Sequence, residues 1–250
     1  TLAHELRNPL APLRTSLEVI RLAGDTPESV EEVRTTMEEQ VDLLVRLVDD
    51  LLDVSRITSG KIRLHRRTTP LAPLVATAVQ ANRAAVDAGH VTLRVDLPES
   101  PLLIDADSTR FVQVVSNVLS NAVKFTDPGG RITISAELQE SANGDPRWVA
   151  LTVADSGIGI SQDMLPRVFD LFTQDDVTAH RSHTGLGIGL ALARRLIEMH
   201  GGSIEAQSDG PGLGSTFRLR MPLSKGVADT RQAAPRPVAP RISRWGVVFG

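Results

Sequence analysis

The sequence predicts an α+β chain in two domains, a helical hairpin followed by an α/β sandwich. Over the first 57 residues, apolar residues repeat at helical spacing. After residue 66, strand-like and helix-like segments alternate without strict βαβ order. From residue 225 the composition changes to Ala, Pro and Arg. We therefore place the hairpin at 1–66, the sandwich at 67–224 and a linker or disordered tail at 225–250.

Composition excludes several classes of protein. The 250 residues include no Cys, which excludes disulfide scaffolds, thiolate zinc sites and cysteine nucleophiles. A formal net charge of −3 predicts no nucleic-acid partner. No apolar run approaches the roughly 18 residues that a membrane span needs, so we expect no membrane contact by this part of the chain. The first residue is Thr1 rather than Met, so we expect a segment upstream of it.

The hairpin is predicted by two consecutive helical patterns. The first has apolar residues spaced four, three, four and three apart and ends near Gly24; these are Leu6, Leu10, Leu13, Leu17 and Ile20. Asp25 then offers a polar N-cap and Pro27 a favourable first helical residue, so a second helix is predicted over about 27–57. Its apolar stripe is broader than one partner helix would cover. Two copies of the hairpin would bury both stripes in a four-helix bundle, which predicts a homodimer.

The sandwich is predicted from periodicity and from turn residues. Gly89 and the pair Gly201-Gly202 are typical of helix ends, and Asp127-Pro128-Gly129-Gly130 is typical of a turn. The predicted helices cover 71–88, 108–124, a short stretch from Ser161 to 168, and the region after the glycines at 185–189 as far as His200. The predicted strands cover 91–97, 102–105, 131–138, 148–154, 203–208 and 215–221. We expect one mixed sheet with helices on one face.

The first polar constellation is the segment His4-Glu5-Leu6-Arg7-Asn8-Pro9-Leu10. His4 lies beside the apolar stripe and can reach water, and Asn8 shares its face one turn later. Pro9 lacks an N–H and crowds the carbonyl of Glu5, so we expect a bend there. A zinc protease motif would need His where Asn8 stands, so that interpretation fails.

A second constellation shares one face of the helix predicted over 108–124. Asn117, Asn121 and Lys124 lie there, and Asn is a poor residue for the middle of a helix. An amide oxygen is a suitable ligand for Mg²⁺, and an ammonium group nearby suits phosphate oxygens. Contacts with local backbone or simple exposure explain the two asparagines equally well.

Glycine-rich turns mark the remaining candidates. Asp155 ends a predicted strand just before Gly157 and Gly159, where a carboxylate suits a planar donor such as an adenine amino group. A turn capped by Asp is the simpler alternative. The segment Thr184 to Leu190 opens a helix with glycines, whose amides can approach an anion. It fits neither the Rossmann nor the P-loop pattern.

In their order and spacing, these motifs together resemble those of the two-component sensor histidine kinases. The resemblance covers about residues 1–224 and implies an ATP-binding sandwich of the histidine kinase, gyrase and chaperone type. The matching segments are the H box at 4–10, the N box at 117–125, the F box at 169–172, and three glycine boxes at 155–159, 185–190 and 214–217. The Pro-rich tail resembles the linkers that precede a receiver domain in hybrid kinases.

In the hairpin, the resemblance implies a phospho-acceptor and its neighbours. His4 would accept the γ-phosphate of ATP, and Glu5 would hold the proton on the other ring nitrogen. Asn8 would position a water when phosphate is removed from a partner regulator. The implied activity is autophosphorylation followed by transfer to an Asp of a response regulator receiver domain. The implied location is the cytoplasm, with a parent protein that can be associated with the inner membrane.

In the sandwich, the resemblance implies a site for ATP and Mg²⁺. Asn121 would ligate Mg²⁺ with help from Asn117, and Lys124 would contact the phosphates. Asp155 would bind the adenine amino group, backed by Thr216 through a water. Residues of the glycine boxes would complete the site; these are Gly157, Gly159, Thr184, Gly185, Leu186, Gly187 and Gly189. Residues 173–184 would form a mobile lid over the nucleotide.

Three alternatives remain open from the residues. One is a phosphatase-biased or degenerate relative, and a second is a dimeric scaffold that binds ATP without catalysis. The third is an ATP-hydrolysing clamp, which Asn117 disfavours. Related ATPases of the gyrase, chaperone and mismatch-repair group place a Glu there to activate water, and Asn cannot accept a proton near neutral pH. The site is therefore predicted to hold ATP for transfer rather than hydrolysis.

Overall fold

Two long helices open the structure. It is a computed structural model that describes residues 10–23, 27–59, 62–140, 146–173 and 187–224. Helix α1 (Leu10–Ala23) and helix α2 (Pro27–Thr58) contact each other, which confirms the predicted pair of helices from residue 10 onward. Pro27 is the first residue of α2, as predicted. The bend predicted at Pro9 lies outside the described residues.

Much of the apolar surface of these two helices is exposed in a single chain. Leu17 is 57% exposed and Val45 is 53% exposed. The exposed apolar side chains of α1 and α2 are Leu10, Leu17, Val19, Ile20, Val30, Val41, Val45, Val48 and Leu52. Exposed apolar side chains in this number are typical of an interaction site.

The remaining elements form an α/β unit. Its helices are α3 (Leu71–Ala81), α4 (Arg83–Ala88), α5 (Ser108–Phe125) and α6 (Gly189–Met199), with a short 3₁₀ helix at Leu165–Arg167. Its strands are β1 (Arg67–Pro70), β2 (Thr92–Asp96), β3 (Leu103–Ala106), β4 (Arg131–Glu140), β5 (Pro146–Asp155), β6 (Ser203–Gln207) and β7 (Ser215–Pro222).

Five of the strands form one sheet in the order β2-β4-β5-β7-β6. Strands β2 and β4 are parallel, and the other neighbours are antiparallel. Strands β1 and β3 pair with each other in a separate antiparallel sheet. The expected mixed sheet is therefore present, but β3, which was predicted as one of its strands, lies outside it. Strand β1 has the sequence Arg-Thr-Thr-Pro, in which no apolar alternation signals a strand.

Two predicted helices differ from those observed. The helix predicted over 71–88 is interrupted at Asn82, whose Nδ2 donates to the carbonyl of Ala78 at 2.8 Å. A side chain that bonds to the backbone in this way competes with the helical ladder. The helix predicted from Ser161 is only a three-residue 3₁₀ helix, and the Ser161 carbonyl accepts the N–H of Leu165.

Helix α5 occupies the centre of the core. The side chains Phe111, Val114, Val115, Val118 and Leu119 on this helix have no exposed surface. Burial of such side chains contributes roughly 1.5–3 kcal/mol each relative to exposure. The opposite stripe of α5 carries the polar residues that the sequence singled out. The core thus fixes the helix that carries Asn117, Asn121 and Lys124.

A buried histidine joins the ends of α6 and α5 to the segment before β1. The side chain of His200 is 1% exposed, and its Nε2 accepts the Asp107 N–H at 3.0 Å. Because Nε2 is an acceptor, Nδ1 carries the proton and donates to the Leu196 carbonyl at 2.7 Å. Asp107 also caps α5 by accepting the Arg110 N–H, and it accepts the His65 N–H. The imidazole is therefore held neutral in one tautomer.

The free energy of unfolding should fall as the pH drops below about 6.5, the ordinary pKa of histidine. Burial lowers the pKa of His200 and outweighs the hydrogen bond to Leu196 and the charge of Asp107, which raise it. The unfolded chain therefore binds this proton at higher pH than the folded chain does. The stabilisation is fully present above the unfolded-state pKa and is lost as the pH falls toward the folded-state pKa. One group limits the slope to about 1.4 kcal/mol per pH unit.

Urea unfolding measured from about pH 7.5 to about pH 5 would check this slope against the His200→Gln variant. We expect a shallower slope for the variant, and equal slopes would contradict the prediction.

Asp107 affects stability in another pH range. Burial raises its pKa, but the N–H groups of His65 and Arg110 and nearby positive charges outweigh burial and lower it below 3.8. Its contribution is therefore lost only in more acidic solution.

Candidate functional site

The carboxylate of Asp155 lies at the end of β5 and accepts hydrogen bonds from two residues. Oδ1 accepts the Gly157 N–H at 2.8 Å and the Ser215 N–H at 3.2 Å, and Oδ2 accepts the Ser215 hydroxyl. Asp155 and Ser215 are opposite each other in the register of β5 and β7. These bonds fix the orientation of a half-buried carboxylate at the end of the central strand of the sheet.

Sequence reasoning missed Ser215 and singled out its neighbour. Thr216 was predicted to support Asp155 through a water, and that contact stays a prediction. In the register, Thr216 is opposite Ala154, whereas Ser215 is opposite Asp155. Successive residues of a strand point to opposite faces, so the pairing register decides which hydroxyl reaches the carboxylate. The sequence alone carries no signal for that register.

The turn after β5 presses against two other backbone segments. A Cβ on Gly157 would lie 2.1 Å from the carbonyl oxygen of Phe125, the last residue of α5. That carbonyl accepts the Ile158 N–H at 3.0 Å. Gly159 has a φ of +72°, and its Cβ would lie 2.1 Å from the carbonyl oxygen of Gly210. Both glycines are therefore required by close approach, which locks the turn to α5 and to the loop before β7.

The polar face of α5 makes specific contacts with neighbouring backbone. Asn117 Nδ2 donates to the carbonyl of Gly189, the first residue of α6, at 3.0 Å. Asn121 Nδ2 donates to the Asn117 carbonyl at 3.1 Å. The ammonium of Lys124, an exposed residue, lies 5.0 Å from the centroid of the Phe125 ring. Asn117 therefore makes the backbone contact that the sequence left open as an alternative. The side-chain nitrogens of Asn117 and Asn121 both point toward backbone carbonyls.

Close backbone contacts also fix the position of the start of α6. Gly187 has a φ of +65°, and a Cβ there would lie 2.6 Å from the Thr173 carbonyl oxygen. Its own carbonyl accepts the Phe172 N–H at 3.2 Å. Gly189 has ordinary space, since its Cβ would lie 3.6 Å from Asn117. The chain segments on either side of 174–186 therefore meet beside the polar face of α5.

The structure thus brings several predicted site residues into one neighbourhood. The contact between Asn117 and Gly189 joins α5 to α6, and the contact between Phe125 and Ile158 joins α5 to the turn after Asp155. The other predicted site residues lie outside the described residues; these are His4, Glu5, Asn8, Thr184, Gly185 and Leu186. Their roles stay predictions, and so does the predicted lid, of which only Thr173 is described.

Two kinds of feature are absent from the described ranges. No group of three or more His, Cys, Asp or Glu side chains there is arranged to hold a metal ion. No described helix is both long enough and apolar enough to cross a membrane. Asn117 and Asn121 would offer amide oxygens and do not belong to such a group.

Two family models match this chain. Residues 1–60 match the family model "His Kinase A (phospho-acceptor) domain". Residues 106–225 match the model "Histidine kinase-, DNA gyrase B-, and HSP90-like ATPase". Sensor histidine kinase RcsC of Escherichia coli (strain K12) is 32% identical over 89% of this chain and 23% of its own length. Histidine-protein kinase BaeS of the same strain is 33% identical over 90% of this chain and 46% of its own length.

Solved structures include the same arrangement. Full-length ShkA, crystallised in complex with AMPPNP, superposes with a TM-score of 0.66 and 27% identity. The superposition covers 91% of this chain and 46% of ShkA. The chain therefore spans about half or less of these relatives. Because both family models match in the order found in sensor kinases, the chain belongs to the two-component sensor histidine kinases, a family of protein histidine kinases, and comprises the core of one.

Proposed function

We propose that this chain transfers the γ-phosphate of ATP to His4 and then passes it to an aspartate of a response regulator. The observation that carries this proposal is the fixed carboxylate of Asp155 in an ATPase domain that follows a phospho-acceptor domain. We place the two domains at 1–66 and 67–224. The complex of ShkA with an ATP analogue supports the same nucleotide for this chain.

Asp155 suits the adenine end of the nucleotide. Its oxygens are aligned by Gly157 and Ser215, and a carboxylate oxygen can accept more than one hydrogen bond. A charged acceptor forms a stronger bond to an amino group than a neutral one does. The exocyclic amino group of adenine is such a donor, and guanine has a carbonyl in the corresponding place. Asp155 therefore provides a basis for selecting ATP over GTP.

The phosphate end would lie along α5 and the start of α6. Asn121 and Asn117 direct their amide nitrogens to backbone carbonyls, so the amide oxygens are the atoms with which they would hold Mg²⁺. Mg²⁺ supplies charge neutralisation on the phosphates when it is bound. Lys124 adds a positive charge on the same face. Glycine amides from 185 to 189, at the positive end of α6, are suited to anionic oxygens.

In the hairpin, His4 would be the nucleophile. A neutral imidazole attacks phosphorus through one ring nitrogen, and Glu5 would hold the proton of the other. The N–P bond forms as the bond from phosphorus to the β-phosphate oxygen breaks, which leaves ADP. Asn117 stands where a water-activating Glu would favour hydrolysis. The site therefore protects the γ-phosphate for transfer.

The active form would be a homodimer in the cytoplasm. The exposed apolar side chains of α1 and α2 form a surface that a second hairpin can cover, and their helical spacing matches a bundle seam. The receiver domain of a response regulator would then approach phosphorylated His4. Asn8 would position water for hydrolysis of the aspartyl phosphate of the regulator, which releases inorganic phosphate.

Incubation with γ-labelled ATP and Mg²⁺ tests the proposal. We expect label on the chain that is lost in acid and retained in alkali, as a phosphohistidine requires. The His4→Gln variant should carry no label, and His65→Gln, which changes an exposed histidine, should label normally. Label that persists in His4→Gln would refute the assignment of the acceptor. ATP binding without label would favour the scaffold alternative, and steady ATP turnover by His4→Gln would favour the clamp.

A further inference from the structure

The hydroxyl of Ser208 joins the turn after β5 to the loop before β7. Ser208 directly follows the last residue of β6 and is half-buried. Its Oγ accepts the Ile160 N–H at 3.0 Å and donates to the Gly214 carbonyl at 2.7 Å. Ile160 belongs to the turn, and Gly214 is the last residue of the loop. The two segments that this hydroxyl joins lead to the residues that align Asp155.

Every hydrogen-bonding position of the Ser208 hydroxyl is in use. A serine hydroxyl has one proton to donate and two lone pairs with which to accept. The proton is directed to Gly214, since the Gly210 carbonyl lies farther away, at 3.4 Å. The lone pairs accept the Ile160 N–H and, at 3.3 Å, the Gly210 N–H. The contact with the Gly210 N–H is an ordinary turn within the loop. The contact with Ile160 spans 48 residues, so Ser208 does more than shape its own loop.

The contact with Gly214 acts on the same peptide unit that binds Asp155. The Gly214 carbonyl and the Ser215 N–H belong to one trans peptide bond. In a trans peptide, the C=O and the N–H lie in one plane and point in opposite directions. The carbonyl accepts the Ser208 hydroxyl, and the N–H donates to Asp155 Oδ1 at 3.2 Å. Rotation of this peptide unit would therefore break both hydrogen bonds together.

These hydrogen bonds form one chain with a single direction. The Ile160 N–H donates to Ser208, whose O–H donates to the Gly214 carbonyl. Across the peptide bond, the Ser215 N–H donates to Asp155. Hydrogen bonds in such a chain polarise one another and become stronger. The chain ends on a carboxylate, whose charge strengthens the last bond further. Ser208 therefore both orients and strengthens the N–H that holds Oδ1.

Backbone hydrogen bonds also hold the two segments together. The Gly212 N–H donates to the Ile158 carbonyl at 2.6 Å, and the Gly214 N–H donates to the Gly157 carbonyl at 3.1 Å. These bonds remain when the Ser208 hydroxyl is removed. The ATPase domain should then stay folded, while the peptide unit after Gly214 loses the bond that orients its carbonyl.

We propose that Ser208 is a positioning residue for nucleotide recognition, which aligns Asp155 through the peptide unit between Gly214 and Ser215. This inference rests on the proposed function, in which Asp155 binds the amino group of adenine. Because Ser208 acts through Asp155, it strengthens the bond to that amino group and leaves contacts with ribose and phosphates unchanged. Ser208 therefore contributes to the preference of the site for a purine that carries an amino group.

Calorimetric titration with ADP and with purine riboside diphosphate, which lacks the exocyclic amino group, tests this role in the presence of Mg²⁺. For Ser208→Ala we expect the affinity for ADP to fall about fivefold, roughly the contribution of one ordinary hydrogen bond. Its affinity for purine riboside diphosphate should not change. Ser208→Thr retains the hydroxyl and should restore the affinity for ADP. Ser203→Ala is the matched control, because it removes a hydroxyl from a half-buried position at the other end of β6. It should leave both affinities unchanged.

Two further measurements separate positioning from a general structural role. The chemical shift of an amide nitrogen responds to a hydrogen bond at the preceding carbonyl. Without nucleotide, the Ser215 amide nitrogen should therefore shift in Ser208→Ala and stay in place in Ser203→Ala. In the Asp155→Asn background, Ser208→Ala should cost little further affinity for ADP, since both changes weaken the same contact.

Equal losses of affinity for the two diphosphates, or losses that simply add to those of Asp155→Asn, would overturn the positioning role. A Ser208→Ala variant that does not fold would also overturn it. An unmoved Ser215 resonance would overturn the chain of hydrogen bonds. Failure of the proposed function has a different signature. An unaltered chain that binds the two diphosphates equally would overturn adenine recognition by Asp155, and the role of Ser208 with it.

Discussion

Replacement of Asp155 by Asn should weaken ATP binding by roughly 10-fold to 100-fold and leave the ATPase domain folded. A hydrogen bond to a charged group contributes about 1.5–3 kcal/mol, which corresponds to this range of affinity. The Asn oxygen can still accept the N–H groups of Gly157 and Ser215, so the turn after β5 retains its partners. Calorimetric titration with a non-hydrolysable ATP analogue measures the change.

Asp163→Asn is the matched control for this variant, because it removes a carboxylate from an exposed position of the same domain. We expect no change in its affinity for the analogue. If Asp155→Asn bound the analogue as well as the unaltered chain, the adenine assignment would be wrong. If the variant unfolded at a much lower urea concentration, the main role of Asp155 would be to join β5 to β7.

Gly214→Ala should cost far more stability than Gly212→Ala, although both glycines have positive φ. The φ values are +71° and +80°, so both variants incur the strain of a left-handed residue, on the order of 1–3 kcal/mol. A Cβ at Gly212 meets nothing within 4 Å, whereas one at Gly214 would lie 2.1 Å from the Asp155 carbonyl oxygen. We expect Gly214→Ala to lose a further 1–3 kcal/mol, roughly the cost of overpacking.

The same clash should also affect Asp155, the residue proposed to bind adenine. Gly214 donates its N–H to the Gly157 carbonyl at 3.1 Å, so a shift at Gly214 displaces the turn that aligns Asp155. Urea unfolding compares the stability of the two variants, and titration with the ATP analogue compares their binding. Equal losses of stability would show that backbone conformation alone accounts for the effect. Retained affinity in Gly214→Ala would show that the turn tolerates the shift.

The elements with strong local signals were predicted well. The helix predicted over 108–124 is α5 to within one residue, because apolar residues at helical spacing define its buried face. The strands of the central sheet were confirmed with small changes at their ends. Strand β1 was not predicted, since its four residues acquire strand structure only by pairing with β3. The break at Asn82 also depends on a side-chain bond that propensity does not specify.

The residues of the candidate site also fall into two groups, those that a local sequence pattern indicates and those that depend on distant pairing. Asp155 and the turn glycines were found from a carboxylate at a strand end followed by Gly-x-Gly, a pattern contained in five adjacent residues. Ser215 was missed because its contact with Asp155 depends on the register of two strands 60 residues apart. The hydrogen bond between Arg110 and Asp53 was missed for a related reason, since the two residues are 57 positions apart and neither interrupts its own helix pattern.

The wide separation of Asp155 and Ser215 also determines when the site can exist during biosynthesis. A ribosome adds about 5–20 residues per second, so 60 residues take on the order of 3–12 s. Throughout that interval β5 has emerged without β7, and its terminal carboxylate lacks the serine that aligns it. A nascent chain therefore contains Asp155 well before it contains the serine that aligns this carboxylate. If Asp155 holds adenine as proposed, nucleotide binding begins only after the last strand of the sheet has been made.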